Sequence, residues 1–256
     1  MTFTEKLQRQ IEGKGSRLCV GLDPRPARHE SLQEVESFCR QVVEETAGFA
    51  AAFKPNIAYF EALGPPGYQL IESLIGVMRN NDTPIILDAK RGDIGTTQEQ
   101  YAKAYFENWE VDAVTLSPYM GFDSVEPFLS YPGKGVYLLG VTSNAGASDL
   151  ETHQLADGRW VFELVGDMAG KVDDGSIGLV LGLTNASVEV LEKLPDVPLL
   201  IPGFGAQGGQ LDVLEGQSRL APCLVNVSRG ILYAEPERSL KDKAKEYANK
   251  IATVLG

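Results

Sequence analysis

The sequence predicts a single (β/α)8 barrel over residues 1–256. Eight short apolar runs alternate with helical stretches, at about 32 residues for each unit of the 256-residue chain. The runs are almost continuously apolar, which is typical of parallel strands buried on both faces. No linker or low-complexity tract divides the chain, so one barrel accounts for all eight units. A doubly wound parallel sheet is the alternative, because a strand count taken from one sequence can be wrong by about one or two.

The predicted elements follow one another in a regular order along the chain. The strands are RLCVGLD (17–23), AAFKPN (51–56), PIILDAK (84–90), DAVTLS (112–117), GVYLLGVTS (135–143), IGLVLG (177–182), PLLIPG (198–203) and CLVNVS (223–228). The segments between them are predicted helices over about 31–47, 67–80, 96–109, 121–130 and 159–172, and a charged helix over 236–254 closes the chain. This alternation of short buried strands with longer helical segments is the pattern of repeated βα units.

Composition limits the classes of protein to which the chain can belong. Hydrophobic residues make up 43% and charged residues 23%, as in ordinary soluble proteins. No apolar run approaches the roughly 20 residues that span a bilayer, and residues 1–16 lack the apolar core of a signal peptide. The cysteines at 19, 39 and 223 form no metal-binding spacing, so we expect reduced, packed thiols in a cytoplasmic protein.

The net charge also constrains the partners of the chain. A formal charge of -12 argues against a nucleic-acid surface, which needs a basic patch. If the ligand is an anion, the field of the whole protein repels it, and local donors must supply the binding. His29 and His153 have no Cys or His partner at ligand spacing, so no metal site is predicted around them and both are expected at the surface.

Polar and charged residues stand at the C-terminal ends of the predicted strands. They are Asp23 after the first strand, Lys54 after the second, Asp88 and Lys90 at the third, Ser143 at the fifth, and Ser228 with Arg229 at the eighth. In a barrel, these ends meet at one mouth, where the active sites of this fold lie. The sequence therefore predicts one site that is built from several strands.

The third strand carries the most concentrated set of charges. Asp88 and Lys90 are two residues apart, so on a regular strand they share a face, with Cα atoms about 6–7 Å apart. With Asp93 and Lys54 they form an alternating set in which each charge can be paired, which is the condition for charges in a partly buried pocket. A lysine held between carboxylates stays protonated and can act as a general acid.

Such a set of charges fits the loss of a substrate carboxylate as carbon dioxide, with the lysine protonating the carbon that remains. Proton abstraction beside a carbonyl, usually with a metal, is an alternative, although the lysines compete with a divalent cation for the same carboxylates. A charged network that only rigidifies the barrel mouth is the other alternative.

The last two strand ends predict a phosphate site. IPGFGAQGGQ (201–210) follows the seventh strand and VNVSRGI (225–231) includes the eighth, the two loops that often bind phosphate in barrels. Gly203 and Gly205 permit close approach of the backbone, Gln207 offers an amide donor and Arg229 offers a bidentate cation. The predicted substrate-binding residues of these loops are Pro202, Gly203, Gly205, Gln207, Ser228 and Arg229.

Seven segments from separate strand ends carry a family resemblance. They are GLD (21–23), FKPN (53–56), DAKRGDIGTT (88–97), PYMG (118–121), TSN (142–144), PGFGAQGG (202–209) and VSRG (227–230). In this order they resemble the signature segments of the orotidine 5'-phosphate decarboxylase family, and the FKPN and KRGDIG forms resemble its bacterial type 2 subgroup. The resemblance extends over nearly the whole chain. It implies a barrel that converts orotidine 5'-phosphate to UMP and carbon dioxide, the last step of de novo UMP biosynthesis, without a metal or an organic cofactor.

The resemblance also implies roles for the residues that react. Lys90 would donate a proton to C6 of the pyrimidine, and Asp88 would be the carboxylate placed against the departing group. Asp93 and Thr97 would enter the neighbouring site of a homodimer, so that the two active sites are shared. Lys54, Asp88, Lys90 and Asp93 are the predicted catalytic residues.

Other matched residues would bind the parts of the substrate that do not react. The resemblance implies that Asp23 and Lys54 hold the ribose hydroxyls and that Ser143 contacts the pyrimidine. Gln207 and Arg229 would bind the phosphate. The implied partners are therefore a small nucleotide and a second copy of the chain, with no nucleic acid and no membrane.

Two other functions remain open at this point. One is a metal-dependent sugar-phosphate barrel, such as 3-keto-gulonate-phosphate decarboxylase or hexulose-phosphate synthase, which shares the Asp-x-Lys-x-x-Asp pattern. The extension over 94–97 and the loop around Gln207 disfavour it. The other is a catalytically silent nucleotide-binding barrel, which would need a broken charge cluster that this sequence does not have.

Overall fold

The computed structural model describes residues 1–205, 209–216 and 219–256. These residues contain eight parallel strands: β1 Leu18–Leu22, β2 Ala50–Pro55, β3 Ile86–Arg91, β4 Ala113–Leu116, β5 Gly135–Val141, β6 Ile177–Leu181, β7 Leu199–Pro202 and β8 Cys223–Val227. They are hydrogen-bonded in the order β2-β1-β8-β7-β6-β5-β4-β3. Isolated bridges from Phe53 to Ile85 and from Asn56 to Asp88 bring β2 beside β3. The sheet therefore closes on itself, which confirms the predicted (β/α)8 barrel.

Helices surround this barrel. In the described residues they are α1 Phe3–Lys14, α2 Leu32–Thr46, α3 Ile57–Glu61, α4 Pro65–Asn80, α5 Gly95–Lys103, α6 Glu126–Leu129, α7 Ala147–Leu150, α8 Val161–Ala169, α9 Val188–Glu192, α10 Arg229–Leu232 and α11 Leu240–Leu255. Side-chain oxygens of Ser31 and Ser239 cap the starts of α2 and α11 by accepting a backbone N–H three residues on. A π-helical turn, Ala104–Asn108, continues α5, so the predicted helix over 96–109 is nearly complete.

The predicted helix over 121–130 is wrong in its first half. Two 3-10 turns, Pro118–Met120 and Phe122–Ser124, occupy this region, and only the one-turn α6 follows them. Gly121 lies between the two turns with a φ of 96°, which a continuous helix cannot contain. The apolar residues of the segment thus belong to separate short turns, and Val125 and Phe128 pack from the end of this segment against the core.

Alternate residues of the strands form two separate cores. Outward-facing side chains such as Val20, Val114 and Leu179 pack under the helices. Inward-facing side chains fill the barrel, among them Ile86, Ala113, Tyr137, Leu200 and Leu224. Because side chains alternate along a strand, the next inward position on each strand lies one level higher, at the mouth. The packed side chains of the barrel interior therefore form the bottom of any cavity at the C-terminal ends of the strands.

Helix α1, which was not predicted, covers the opposite end of the barrel. A capping box between Thr2 and Glu5 starts it, and Phe3, Leu7 and Ile11 belong to the same apolar cluster as the barrel interior. The Phe3 ring meets Tyr137 edge to face at 5.9 Å between centroids. Access to the interior from this end is thereby blocked by packed side chains.

The three cysteines are free and buried, which confirms the predicted packed thiols. Burial raises the pKa of the Cys19 thiol to about 12, so this side chain is a neutral packing group inside the barrel. In the part of the chain that the structure describes, there is no helix whose length and hydropathy would allow it to cross a membrane.

Candidate active site

A cavity of about 680 Å³ opens at the C-terminal ends of the strands. Its size is that of a site for a small organic ligand. It is lined by Asp23, Arg25, Lys54, Asn56, Tyr59, Asp88, Lys90, Thr115, Leu139, Thr142, Ser143, Asn144, Glu151, Val180, Leu200, Pro202, Asn226 and Arg229. The cavity thus brings together six of the strand-end residues that the sequence predicted: Asp23, Lys54, Asp88, Lys90, Ser143 and Arg229.

One side of the cavity, which we call the charged wall, consists of Lys54, Asp88, Lys90 and Thr115. Lys54 Nζ donates to Asp88 Oδ2 at 2.6 Å, and Lys90 Nζ donates to Asp88 Oδ1. The hydroxyl of Thr115 also donates to Asp88 Oδ1, at 3.1 Å. Lys54 and Asp88 are only 5% and 8% exposed. Burying either charge alone would be costly, and each has the opposite charge of the other beside it.

Electrostatics keep this buried pair ionised. Burial alone would raise the pKa of Asp88, but the nearby Lys54 and Lys90 outweigh it and hold the pKa well below its usual value. Burial alone would lower the pKa of Lys54, but Asp88 and Asp23 outweigh it and hold the pKa above its usual value. At neutral pH the Asp88 carboxylate and the Lys54 ammonium therefore form a buried ion pair, and Lys90 donates to the other oxygen of the same carboxylate.

The backbone at Lys90 differs from the regular strand that the sequence predicted. Lys90 has a φ of 46°, in the left-handed region that residues with side chains rarely adopt. On β4, the partners of Leu87 and Arg91 are Val114 and Leu116, so four steps along β3 span only two along β4. Asp88 and Lys90 lie on the same side of the strand, as predicted, and both line the cavity. The stretch between them is a bulge and not the regular strand that the prediction assumed.

Asp93 and Thr97 lie outside the cavity of their own chain. Asp93 follows β3, and its Oδ1 accepts a hydrogen bond from the backbone N–H of Ile94 at 2.9 Å. Thr97 is exposed in the first turn of α5. Within the described residues, neither side chain lines the mouth, so the expected ion pair between Asp93 and Lys90 is absent from this single chain.

A second group of polar atoms, which we call the unpaired set, is buried around the same mouth. It comprises Asp23 Oδ1, Ser143 Oγ, Asn226 Oδ1 and Ser228 Oγ, which have no hydrogen-bond partner among the described residues. A buried polar atom without a partner is costly. The cost is offset if a ligand supplies the missing donors and acceptors, so this set indicates where polar groups of a ligand would bind.

Close packing fixes the position of Ser143. A Cβ atom at Gly182, the residue after β6, would lie 2.4 Å from both the backbone nitrogen and the Oγ of Ser143. Only glycine at 182 therefore allows the chain after β5 to approach so closely. Its neighbour Thr142 is held by Glu151, whose carboxylate accepts from the Thr142 backbone N–H at 2.6 Å and from its hydroxyl at 2.7 Å.

The predicted phosphate loops lie beside this set. Pro202 lines the cavity at the end of β7, and Arg229 lines it at the start of α10. Gly203 and Gly205 follow with φ values of 106° and 80°, as the sequence led us to expect of glycines in a tight loop. Neither glycine lines the cavity within the described residues. Gln207 lies outside the described residues.

Comparison with known proteins decides the family. A model of the family described as "Orotidine 5'-phosphate decarboxylase / HUMPS family" matches residues 16–244. The chain belongs to this family. The family resemblance that was predicted from the seven strand-end segments is thereby confirmed, and the matched range includes every strand of the barrel.

Individual members of the orotidine 5'-phosphate decarboxylase / HUMPS family are similar over full length. The chain is 46% identical to the orotidine 5'-phosphate decarboxylase of Variovorax paradoxus, covering 100% of this chain and 98% of that protein. It is 44% identical to that of Cupriavidus metallidurans, covering 97% and 95%. The solved structure of Leishmania donovani OMP decarboxylase superposes with a TM-score of 0.88 at 35% identity, covering 100% of this chain and 99% of that one.

Several cavity residues were not predicted from the sequence, and Thr115 and Asn226 are the two most informative of them. Thr115 and Asn226 are 1% and 8% exposed, and each is an inward position of its strand. The signal was available, because each lies two residues beyond an inward apolar residue, Ala113 and Leu224. A polar residue at an inward strand position near the mouth is therefore a site candidate, even inside an apolar run.

One other expectation needs correction. His153 is exposed as predicted, but His29 is half-buried, with its ring 5.0 Å from that of Phe38. Among the described residues there is no cluster of three or more His, Cys, Asp and Glu side chains suited to a metal ion.

Proposed function

We propose that the chain removes carbon dioxide from orotidine 5'-phosphate to give UMP, which would place it in pyrimidine biosynthesis. The charged wall is the observation that carries the proposal, because Asp88 and Lys90 meet at the cavity with the geometry of a carboxylate and a proton donor. The full-length relatives at 44–46% identity that are named orotidine 5'-phosphate decarboxylase support the choice of substrate.

In the proposed step, the bond between C6 of the pyrimidine and its carboxylate breaks. The electron pair of this bond stays on C6 and carbon dioxide leaves. The Nζ of Lys90 then gives a proton to C6, forming UMP, and the amine recovers a proton from solvent. Lys90 suits this role because its side chain is 48% exposed at the cavity, whereas Lys54 is buried against Asp88.

Asp88 gives the wall its second role. A substrate carboxylate seated beside the Asp88 carboxylate is repelled, and this repulsion disappears when carbon dioxide leaves. Contacts to the remote phosphate and ribose would offset the repulsion in the bound substrate. Lys54 is a salt-bridge partner that holds Asp88 in place, at 2.6 Å, and its position also allows a contact with a ribose hydroxyl.

The unpaired set would bind the remainder of the nucleotide. Asp23 Oδ1 is a buried acceptor that suits a ribose hydroxyl, and Ser143 Oγ suits the polar edge of a pyrimidine. Ser228, Arg229 and the loop after β7 would bind the phosphate, with Gln207 as a further donor. This division puts the reacting carbon between the two sides of the cavity.

The chelator experiment separates this function from the metal-dependent members of the same family. Orotidine 5'-phosphate turnover is followed by absorbance, with and without EDTA. We expect equal rates, because both oxygens of Asp88 already accept from lysines. Loss of turnover with EDTA that is restored by a divalent cation would contradict the metal-free reaction. Binding of UMP without any turnover would contradict the proposed function itself.

We also propose that two chains form a dimer with shared active sites. Asp93 and Thr97 lie at the rim rather than in their own cavity, where a partner could receive them. Large apolar side chains are exposed after the neighbouring strands β3 and β4: Ile94 is 59% exposed, Tyr119 80% and Met120 52%. The exposure of these apolar side chains supports a surface that is covered in an assembly.

Mixing two inactive variants tests the shared site. In a dimer of Lys90→Ala with Asp93→Ala, one cavity carries both changes and the other carries neither. Random reassortment makes half of the dimers mixed, so about a quarter of all sites should recover. Activity that stays at the level of the separate variants, after subunit exchange is demonstrated, would show that each cavity is built from one chain.

A further inference from the structure

Thr115, an inward residue of β4, makes three hydrogen bonds at its single hydroxyl. Its Oγ1 accepts from the backbone N–H of Ala89 at 3.0 Å and from that of Lys90 at 3.0 Å. The same hydroxyl donates to Asp88 Oδ1 at 3.1 Å. A hydroxyl has one donor and two acceptor positions, so its hydrogen-bonding capacity is fully used. At 1% exposure, Thr115 has no access to competing solvent.

Two of these three bonds take the place of β3–β4 backbone hydrogen bonds that the bulge interrupts. Between Leu87 and Arg91, β3 bulges away from β4 and loses the regular ladder. The N–H groups of Ala89 and Lys90 are thereby deprived of strand partners, and Thr115 supplies an acceptor to both. Lys90 is held with a φ of 46°, a conformation that persists only where its surroundings fix it.

We propose that Thr115 is a positioning residue that holds the general acid and the carboxylate of the decarboxylase in register. Through the two N–H groups it fixes the backbone from which the Lys90 side chain extends. Through its own proton it fixes the rotation of the Asp88 carboxylate, so that the other oxygen faces Lys54. A single side chain therefore fixes the positions of Asp88 and Lys90 relative to each other. This inference rests on the decarboxylation proposed above.

The isosteric change Thr115→Val tests the proposal. Valine keeps the shape and β-branching of threonine but can neither accept from the two N–H groups nor donate to Asp88. We expect kcat to fall by about tenfold to a hundredfold, since hydrogen bonds to charged groups are lost at the reacting centre. UMP affinity should stay within about threefold, because the unpaired set that would bind UMP is unchanged.

Two further variants at the same position separate the hydroxyl from the packing of the methyl group. Thr115→Ser keeps the hydroxyl and should retain kcat within about threefold, whereas Thr115→Ala, which lacks both groups, should lose kcat as Thr115→Val does. This comparison decides the matter even if the valine variant does not fold. Equal kcat in the serine and alanine variants would overturn the proposal.

Thr46→Val is the matched control. Thr46 is fully buried and its hydroxyl donates to Val42 O within α2, away from the cavity. It should lose stability but not kcat. The proposal is overturned if Thr115→Val keeps kcat within threefold of the unchanged protein, or if kcat and UMP affinity fall together as in a general distortion. If the protein without any substitution has no decarboxylase activity, the proposed function itself is refuted.

Discussion

The two sides of the mouth differ in how far the chain satisfies its own polar groups. On the charged wall, both oxygens of Asp88 accept hydrogen bonds from Lys54, Lys90 or Thr115. In the unpaired set, Asp23 Oδ1, Ser143 Oγ, Asn226 Oδ1 and Ser228 Oγ have no partner in the described residues. The groups that would react are held by the protein, while the groups that would bind are directed towards a ligand.

This difference has a physical reason. A general acid and a carboxylate accelerate a reaction only if they are oriented before the substrate arrives, because reorientation during the reaction costs free energy. Binding groups have the opposite requirement, since a donor or acceptor already paired within the protein must give up that partner to bind a ligand. The cavity satisfies both requirements, because the groups of the charged wall are already hydrogen-bonded and the atoms of the unpaired set are still available to a ligand.

Removal of Lys90 should have the largest effect on the charged wall. We expect Lys90→Ala to lower kcat by about 10³-fold, within the range of a general acid, while UMP affinity changes by less than about threefold. Lys245→Ala, an exposed lysine on α11, is the control and should retain full activity. A folded Lys90→Ala protein with more than about a tenth of the original kcat would rule out its role as proton donor.

Removal of Lys54 should mainly affect stability. Lys54→Met leaves the buried Asp88 carboxylate without one of its cations, so we expect the free energy of unfolding to fall by about 3 kcal/mol. Lys6→Met is the matched comparison: its partner Asp112 is also within 2.6 Å, but the Lys6 side chain is 30% exposed, and the loss should be about 1 kcal/mol. Urea denaturation measures both. Equal losses of unfolding free energy in the two variants would contradict the larger cost of leaving the buried Asp88 carboxylate without Lys54.

Removal of Arg229 should distinguish ligands by their phosphate. Arg229→Ala should weaken orotidine 5'-phosphate by about 2–3 kcal/mol, as for a charge-assisted hydrogen bond that is no longer made, and should leave binding of free orotidine nearly unchanged. Calorimetric titration with both ligands provides the comparison. An equal loss for the two would remove Arg229 from the phosphate site.

The smallest effect concerns acid stability. Because the pKa of Asp88 in the folded protein lies below its unfolded value of 3.8, its ionised form stabilises the fold at higher pH, and this contribution is lost as the pH falls through 3.8 and below. Between about pH 4 and pH 3 it should account for roughly 1 kcal/mol of the decrease. The dependence of unfolding free energy on pH should therefore be shallower in Asp88→Asn. Identical slopes would contradict the depressed pKa.

The sequence predicted the barrel because its signal is repeated. Each strand is an apolar run such as IGLVLG or CLVNVS, and an error in one element leaves the pattern of the other units intact. Helix α1 precedes the first βα unit, so the repeat did not predict it, although Phe3, Leu7 and Ile11 follow a helical period. The turns at Gly121 were read as a helix because apolar spacing does not report φ.

The site was predictable in its residues but not in its local geometry. Polar residues at strand ends marked Asp23, Lys54, Asp88 and Ser143, since parallel strands bring their C-terminal ends together. No local signal marks the left-handed backbone at Lys90, because lysine has no preference for that conformation and the bulge against β4 joins residues that are distant in sequence. Contributions from a partner chain, such as those proposed for Asp93 and Thr97, also have no signal within one chain.

Crystal structures of the free protein and of its UMP complex test the central difference between the two sides. We predict that in the free protein Lys54 Nζ and Asp88 Oδ2 are already within salt-bridge distance, at about the 2.6 Å seen here, and that Thr115 already accepts from Ala89 and Lys90. On UMP binding these distances should stay the same, while Asp23 Oδ1 and Ser143 Oγ gain hydrogen bonds to the nucleotide. A free protein in which Lys54 and Asp88 are separated, and pair only in the complex, would contradict the account.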